Sequence, residues 1–172
     1  MADCRAPFSP QLALTGGGFD PDNYRVRVGY PDGGVSENEV IQEGQFDFIV
    51  LGPDDFVCRG QVTAEDKAPP VIDSVWFKAD TLDLWCTEIE QVYNNPASID
   101  PDEAFFTGRV YYSDGCDPNP QLSLSDQLEY GTCADTFFAR LDRRFTIVDQ
   151  HGRTTDTTQV IFFRQPDPLD AQ

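Results

Sequence analysis

Gly60-Gln61-Val62-Thr63-Ala64-Glu65-Asp66-Lys67-Ala68-Pro69-Pro70-Val71-Ile72 reads as the end of one β-structure and the start of another. Val62 and Ala64 alternate with Gln61, Thr63 and Glu65, the two-residue period of a strand with one buried face. Pro69 and Pro70 cannot donate to a sheet ladder, and each restricts the residue before it, so the strand must end there. Two adjacent prolines make a stiff, extended joint. The same strand-then-proline ending recurs at Phe162-Phe163-Arg164-Gln165-Pro166. The expected organisation is therefore a first module over 1–68, a second over 69–166, and the start of a linker at 167–172.

Upstream of this joint, Tyr24, Val26 and Val28 alternate with Arg25 and Arg27, which predicts a strand over 23–30. Pro31-Asp32-Gly33-Gly34 is a turn, and a second strand over 35–42 is expected to return antiparallel. Phe46, Phe48 and Val50 mark an inward face, and Gly52-Pro53-Asp54-Asp55 turns the chain into a strand over 56–65. A short alternation at Leu12 and Leu14 precedes the glycine triplet 16–18, which reads as a strand connection and not a phosphate loop, since no Gly-Lys-Ser/Thr follows.

Downstream, Val75, Phe77 and Ala79 alternate with Trp76 and Lys78, and Leu82, Leu84 and Cys86 continue the pattern. Residues 87–102 are polar, carry Pro96 and Pro101, and read as a long connection with room for one helical turn. A strand is expected over 105–113, then a rigid corner over 114–120. Leu122, Leu124 and Leu128 lie in a stretch given no firm assignment. Residues 137–149 and 154–163 form a closing hairpin turned at Gln150-His151-Gly152, with Leu141, Phe145 and Ile147 in the core. No window of twelve residues or more keeps a helical period, so the fold class is all-β.

Composition narrows the function. The 172 residues are 40% hydrophobic and 12% aromatic, enough for packed cores. The formal charge is −18, which repels nucleic acid and anionic membranes. No apolar run is long enough to cross a membrane, so no membrane insertion is expected. Neither is a signal peptide apparent; Met1-Ala2 ahead of Cys4 reads as a start placed at a module edge, and the chain is expected to be a piece of something longer. The five cysteines include no Cys-x-x-Cys pair, and one histidine cannot complete a zinc site, so disulfides in an oxidising compartment fit better. His151, on a tight turn, has no partner at catalytic spacing, no serine sits in a Gly-x-Ser-x-Gly setting, and no carboxylate pair stands out; the chain is not expected to be an enzyme.

Cys58-Arg-Gly-Gln-Val-Thr-Ala-Glu-Asp-Lys-Ala-Pro-Pro70 resembles the module boundary of large secreted surface proteins of gliding bacteria, where Cys-x-Gly-x-Val-Thr-Val-Glu-Asp-Lys-x-Pro-Pro recurs between tandem Ig-like repeats. Residues Arg143 to Thr155, continuing through Thr158-Gln-Val-Ile-Phe-Phe163, resemble the closing hairpin of a hyalin-repeat (HYR-like) module, and Tyr112-Ser113-Asp114-Gly115-Cys116 resembles its Asp-Asn-Cys corner. The likeness covers most of 45–165. His151 departs from it, standing where the repeat often has a cysteine, so that bridge cannot form. The resemblance implies two tandem Ig-like β-sandwich modules joined by a short proline hinge. It also implies a structural repeat segment of an extracellular, cell-surface adhesin or filament, whose partners are neighbouring modules of the same chain and other copies in a fibre. The alternatives are a glycan- or surface-binding module, using the adjacent aromatics Tyr111/Tyr112 and Phe162/Phe163, and an accessory domain of a secreted hydrolase.

Cys4 and Cys58 are the only cysteines of the first module, and their counterparts flank the repeat in the resembling family, so they are expected to pair. In the second, Cys116 and Cys133 lie in irregular segments where a bridge distorts no ladder, and are expected to pair, leaving Cys86 reduced and buried; Cys86 bridging to Cys116 or Cys133 is the rival. Calcium is the expected cofactor, if any. Hard cations take loop carboxylates, and Glu65 and Asp66 with Asp73 are the favoured set among several acidic loops, none of which has EF-hand spacing.

Overall fold

The computed structural model describes residues 4–14, 18–77, 84–132 and 135–164. Strands dominate it, as an all-β chain requires. The chain divides into two compact units, Met1–Ala68 and Pro69–Gln172.

The first unit holds β1 (Ala6–Pro7), α1 (Pro10–Ala13), β2 (Arg25–Gly29), β3 (Val35–Glu37), β4 (Glu39–Val40), β5 (Gly44–Leu51) and β6 (Val57–Ala64). A four-stranded antiparallel sheet runs β3-β2-β5-β6, and β1 pairs with β4 as a separate ribbon. Val26, Val28, Phe46, Phe48 and Val50 project from one face of the sheet and are buried with Tyr30 and Val40. Phe8 of the leading segment and Ala13 and Leu14 of the α1 turn pack against them. That second layer is a ribbon and a helical turn.

Two local expectations change here. The alternation at Leu12 and Leu14 gives way to one helical turn, because Pro10 takes the first helical position, where its missing N–H is not needed, and the Leu14 N–H bonds to the Pro10 carbonyl at 2.9 Å. The returning strand at 35–42 splits at Asn38, which adopts φ 58, a left-handed conformation that asparagine tolerates. Asn38 is held there from both sides: its backbone N–H donates to the Val26 carbonyl and its side-chain oxygen accepts from the Val26 N–H, each at 2.8 Å. Gly60 faces Phe48 across the β5–β6 ladder, and a Cβ there would lie 2.7 Å from the ring, so the glycine makes room for it.

The second unit holds β7 (Val71–Phe77), β8 (Leu84–Trp85), α2 (Ile89–Val92), β9 (Gly108–Ser113), β10 (Gln121–Tyr130), β11 (Ala139–Val148) and β12 (Thr154–Arg164). One sheet runs β10-β11-β12-β8, with β8 parallel to β12; the other is the antiparallel pair β7–β9. The two sheets face each other: Ile72 and Phe77 of β7 and Val110 and Tyr112 of β9 pack on Phe145 and Ile147 of β11. The Phe77 and Phe145 rings stack with centroids 5.6 Å apart. This unit is a small β-sandwich.

The closing hairpin is present, with ten register pairs between β11 and β12, and Leu141, Phe145 and Ile147 are fully buried. The stretch around Leu122 to Leu128, with no firm assignment from sequence alone, is the ten-residue strand β10. The polar connection after Cys86 is built, not loose: 3-10 turns at Cys86–Glu88 and Pro96–Ile99 flank α2 and bury Ile89, Val92 and Ser98. The alternation expected through Leu82 is named on residues that partly lie outside the described ones, and Cys86 opens a 3-10 turn where an inward strand position was expected.

Candidate functional site

The cysteines depart from expectation in the first unit. Cys58 is a free, half-buried thiol on β6, and Cys4 is disulfide-bonded, so the Cys4–Cys58 bridge is not formed. The reason is local: Cys58 lies on a regular sheet position opposite Val50, its side chain packed against the apolar cluster. In the second unit Cys116 is disulfide-bonded, Cys86 is a free and half-buried thiol, and Cys133 lies outside the described residues.

The acids chosen for calcium already have protein partners within their own units. Glu65 forms an exposed ion pair with Lys67 at 3.5 Å. Asp66 is buried and accepts from the Ala68 N–H at 3.0 Å. Asp73, in the second unit, accepts from the Ser113 hydroxyl at 2.9 Å. A cation would have to share or displace these contacts. Asp114 and Asp117 act as turn acids: Asp114 Oδ1 accepts from the Cys116 and Asp117 N–H groups, and Asp117 accepts from Asn119 and Gln150, all at 2.8 Å.

The most elaborate polar arrangement was not expected. Asp126, Arg143 and Gln159 form one row across β10, β11 and β12, each directly opposite the next, and all on the buried face. Arg143 has no exposed side-chain surface, and neither does Asp126. Its guanidinium uses every one of its five donors. Nε and one Nη2 hydrogen go to the two Asp126 oxygens at 2.9 and 2.7 Å. Nη1 donates to Ser98 Oγ at 2.6 Å and Thr107 Oγ1 at 2.9 Å, and Nη2 to the Val92 carbonyl at 2.5 Å. The two hydroxyls are free to accept because each donates elsewhere, Ser98 to Asn95 O and Thr107 to Ser98 O. Gln159 Nε2 donates to the Thr107 carbonyl at 2.8 Å, while its Oε1 is buried with no partner. This polar layer separates the apolar cluster around Leu141, Ile161 and Phe163 from the one around Phe145 and Ile147. With both charges paired inside the unit, it positions the 86–107 connection on the sheet.

At the hairpin turn, Asp149 gathers three donors: the His151 and Arg153 N–H groups at 2.8 Å and the Arg153 guanidinium at 3.1 Å. Gly152 completes the turn with φ 81, which glycine adopts without strain. Desolvation pushes the Asp149 carboxyl upward, but the hydrogen bonds from Arg153 and His151 and the Arg153 charge together outweigh it, and its pKa lies below the usual carboxylate value. A depressed folded-state pKa adds stability that is present above the unfolded value, about 3.9, and is lost as pH falls through the folded one. Asp149→Asn should therefore be less stable than the parent at pH 7, with the difference shrinking below about pH 4. Urea midpoints of the two proteins measured from pH 7 down to pH 3 check this, and parallel curves would refute it.

The outer face of β7–β9 has the makings of a binding site. The expected alternation holds: Tyr112 joins the core while Tyr111 is 47% exposed, and Phe163 is buried while Phe162 packs half-buried against Phe137. Trp76, missed as a partner of Tyr111 in sequence because β7 and β9 are 30 residues apart, projects from the same face. It pairs directly with Arg109, and Ser74 pairs with Tyr111. Trp76 is 53% exposed and stacks on the buried Phe106 at 5.2 Å with the rings 10° from parallel. The Arg109 guanidinium lies 5.2 Å from the Tyr111 ring centre. Beside this face runs a groove of about 380 Å³, lined by Pro96, Asp100, Pro101, Arg109, Tyr112 and Leu122.

No family model, curated protein or solved structure matches the chain. Among the described residues, no helix is long and apolar enough to cross a membrane.

Proposed function

We propose that the chain is a structural segment of an extracellular bacterial surface protein, an adhesin or filament, made of tandem Ig-like modules joined by a proline hinge at Pro69-Pro70. The observation that supports it is that each of two compact β-units has its own apolar core built from inward-facing strand residues. Disulfide-bonded Cys4 and Cys116 fit an oxidising exterior. The reading is non-catalytic, and its mechanism is mechanical. In the second unit β11 is paired over ten residues on each side, so many ladder bonds resist its removal together. Neighbouring modules and other copies in a fibre are the partners it implies, and reach and stability under load are what the segment supplies.

Pulling the chain from its two ends tests this. Under reducing conditions two separate unfolding events are expected, and without reductant a shorter total extension, because disulfides shield the chain they enclose from load. A single event for the whole chain, or an extension that reductant leaves unchanged, would overturn the reading.

A further inference from the structure

We propose that the outer face of β7–β9 binds an acidic saccharide, a sugar chain bearing carboxylate or sulfate groups. The site goes beyond the structural role and rests on different observations. Trp76 has one ring face held against Phe106, so a large flat surface is fixed before any ligand arrives. Tyr111 lies on the adjacent strand, on the same side of the sheet, and Arg109 sits opposite Trp76 and over Tyr111. Directly opposed residues in an antiparallel pair have Cβ atoms about 5 Å apart, so ring, guanidinium and the Ser74 hydroxyl form one compact patch. Flat ring faces suit the C–H face of a pyranose, and the polar groups between them suit its hydroxyls.

Charge decides the class of sugar. Acids outnumber Lys and Arg by 30 to 12 in the chain, and Arg140, Arg143, Arg144 and Arg153 each hold a carboxylate. Arg109 has no carboxylate partner among the described residues; its contact is the Tyr111 ring. The guanidinium is exposed and lies within cation–π distance of that ring, and a planar fork of this kind takes a carboxylate or a sulfate through paired hydrogen bonds. Packing of Trp76 on Phe106 lowers the ordering cost of binding. Nucleic acid offers anions as well, but the −18 net charge opposes so large a polyanion, whereas a short acidic glycan meets only the local field.

The chain has two tryptophans, Trp76 and Trp85, so Trp85→Phe leaves Trp76 as the fluorescence reporter. That protein is titrated with a hexagalacturonate, a sulfated hexasaccharide of the same length, a neutral hexaglucan and polyglutamate. A saturable response to one or both acidic sugars is expected, about tenfold or more tighter than to the neutral one, and which acidic sugar binds tighter identifies the anion. Arg109→Gln should weaken binding about tenfold or more, and Arg109→Lys should fall between, because lysine keeps the charge but not the fork. Arg109 is exposed, so both variants should keep the parent unfolding midpoint, which is checked alongside. The proposal is overturned if neither acidic sugar gives a saturable response, if Arg109→Gln binds as the parent does, or if polyglutamate binds as tightly as the sugars.

Discussion

Arg143→Met should cost the second unit about 3–5 kcal/mol, the range measured when one member of a buried ion pair is removed. The guanidinium closes five hydrogen bonds, and two of them end on Asp126, whose side chain is as fully enclosed as its own. Methionine fills similar volume but leaves that carboxylate with one remaining donor, the Asn94 N–H at 2.8 Å. Domains of this kind are stable by about 5–15 kcal/mol in all, so the loss takes the unit close to unfolding at room temperature. Arg143→Lys should be nearly as damaging, since an ammonium cannot span both Asp126 oxygens and the hydroxyls of Ser98 and Thr107. The informative variant is the double one. Arg143→Met with Asp126→Leu removes both charges, and an apolar replacement of a buried pair is often neutral or better, so most of the lost stability should return. Urea unfolding followed by far-ultraviolet dichroism gives all three values. A single variant within about 1 kcal/mol of the parent, or a double variant less stable than Arg143→Met, would show that the pair does not organise this core.

The same residues explain what the sequence could and could not convey. Leu141, Phe145 and Ile147 alternate cleanly and are buried as read. Arg143 falls at the inward position between them, and that misplaced charge was the available sign of a buried polar layer. Its partner hid the neighbouring strand. β10 carries Leu122, Leu124 and Leu128 inward, but Asp126 breaks that alternation and serine or glutamine fills most outward positions, so both the period and the β-propensity are weak. Only the cross-strand pairing of Asp126 with Arg143 restores the pattern, and pairing is a long-range fact.

The first unit shows the converse. Its strands at Arg25–Gly29, Gly44–Leu51 and Val57–Ala64 were legible because each alternates about an unbroken apolar face. The break at Asn38 was not, because it depends on Val26 twelve positions away, and at Leu12 the alternation with Leu14 masked the local helix signal of Pro10. The cysteine pairing failed for a related reason: the number of cysteines in a module says nothing of which way each one points, and Cys58 points into the apolar cluster. The aromatic face was half visible. Adjacent tyrosines require one to face outward, but that Trp76 and Arg109 stand beside Tyr111 follows from the β7–β9 register.

Phe145→Ala should separate the two units energetically. Phe145 is fully buried at the centre of the second sandwich, stacked on Phe77 and packed with Val110 and Ile147. Truncating such a phenylalanine costs about 3–5 kcal/mol through lost transfer energy and the cavity left behind. Phe48→Ala is the counterpart in the first unit, where the ring meets Phe8 edge-on at 5.0 Å, and the cost should be of the same order. If each unit folds around its own core, each substitution lowers one unfolding transition and leaves the other in place. The transitions can be told apart by tryptophan fluorescence, because Trp76 and Trp85 both belong to the second unit. Phe145→Ala should move the fluorescence midpoint while a second, dichroism-only transition stays fixed, and Phe48→Ala should do the reverse. Disulfides couple chain segments in the unfolded state, so both variants are measured with and without reductant. Equal shifts of fluorescence and dichroism in both variants under reducing conditions would mean one cooperative domain. The mechanical reading, which needs modules that yield one at a time, would then fall with it.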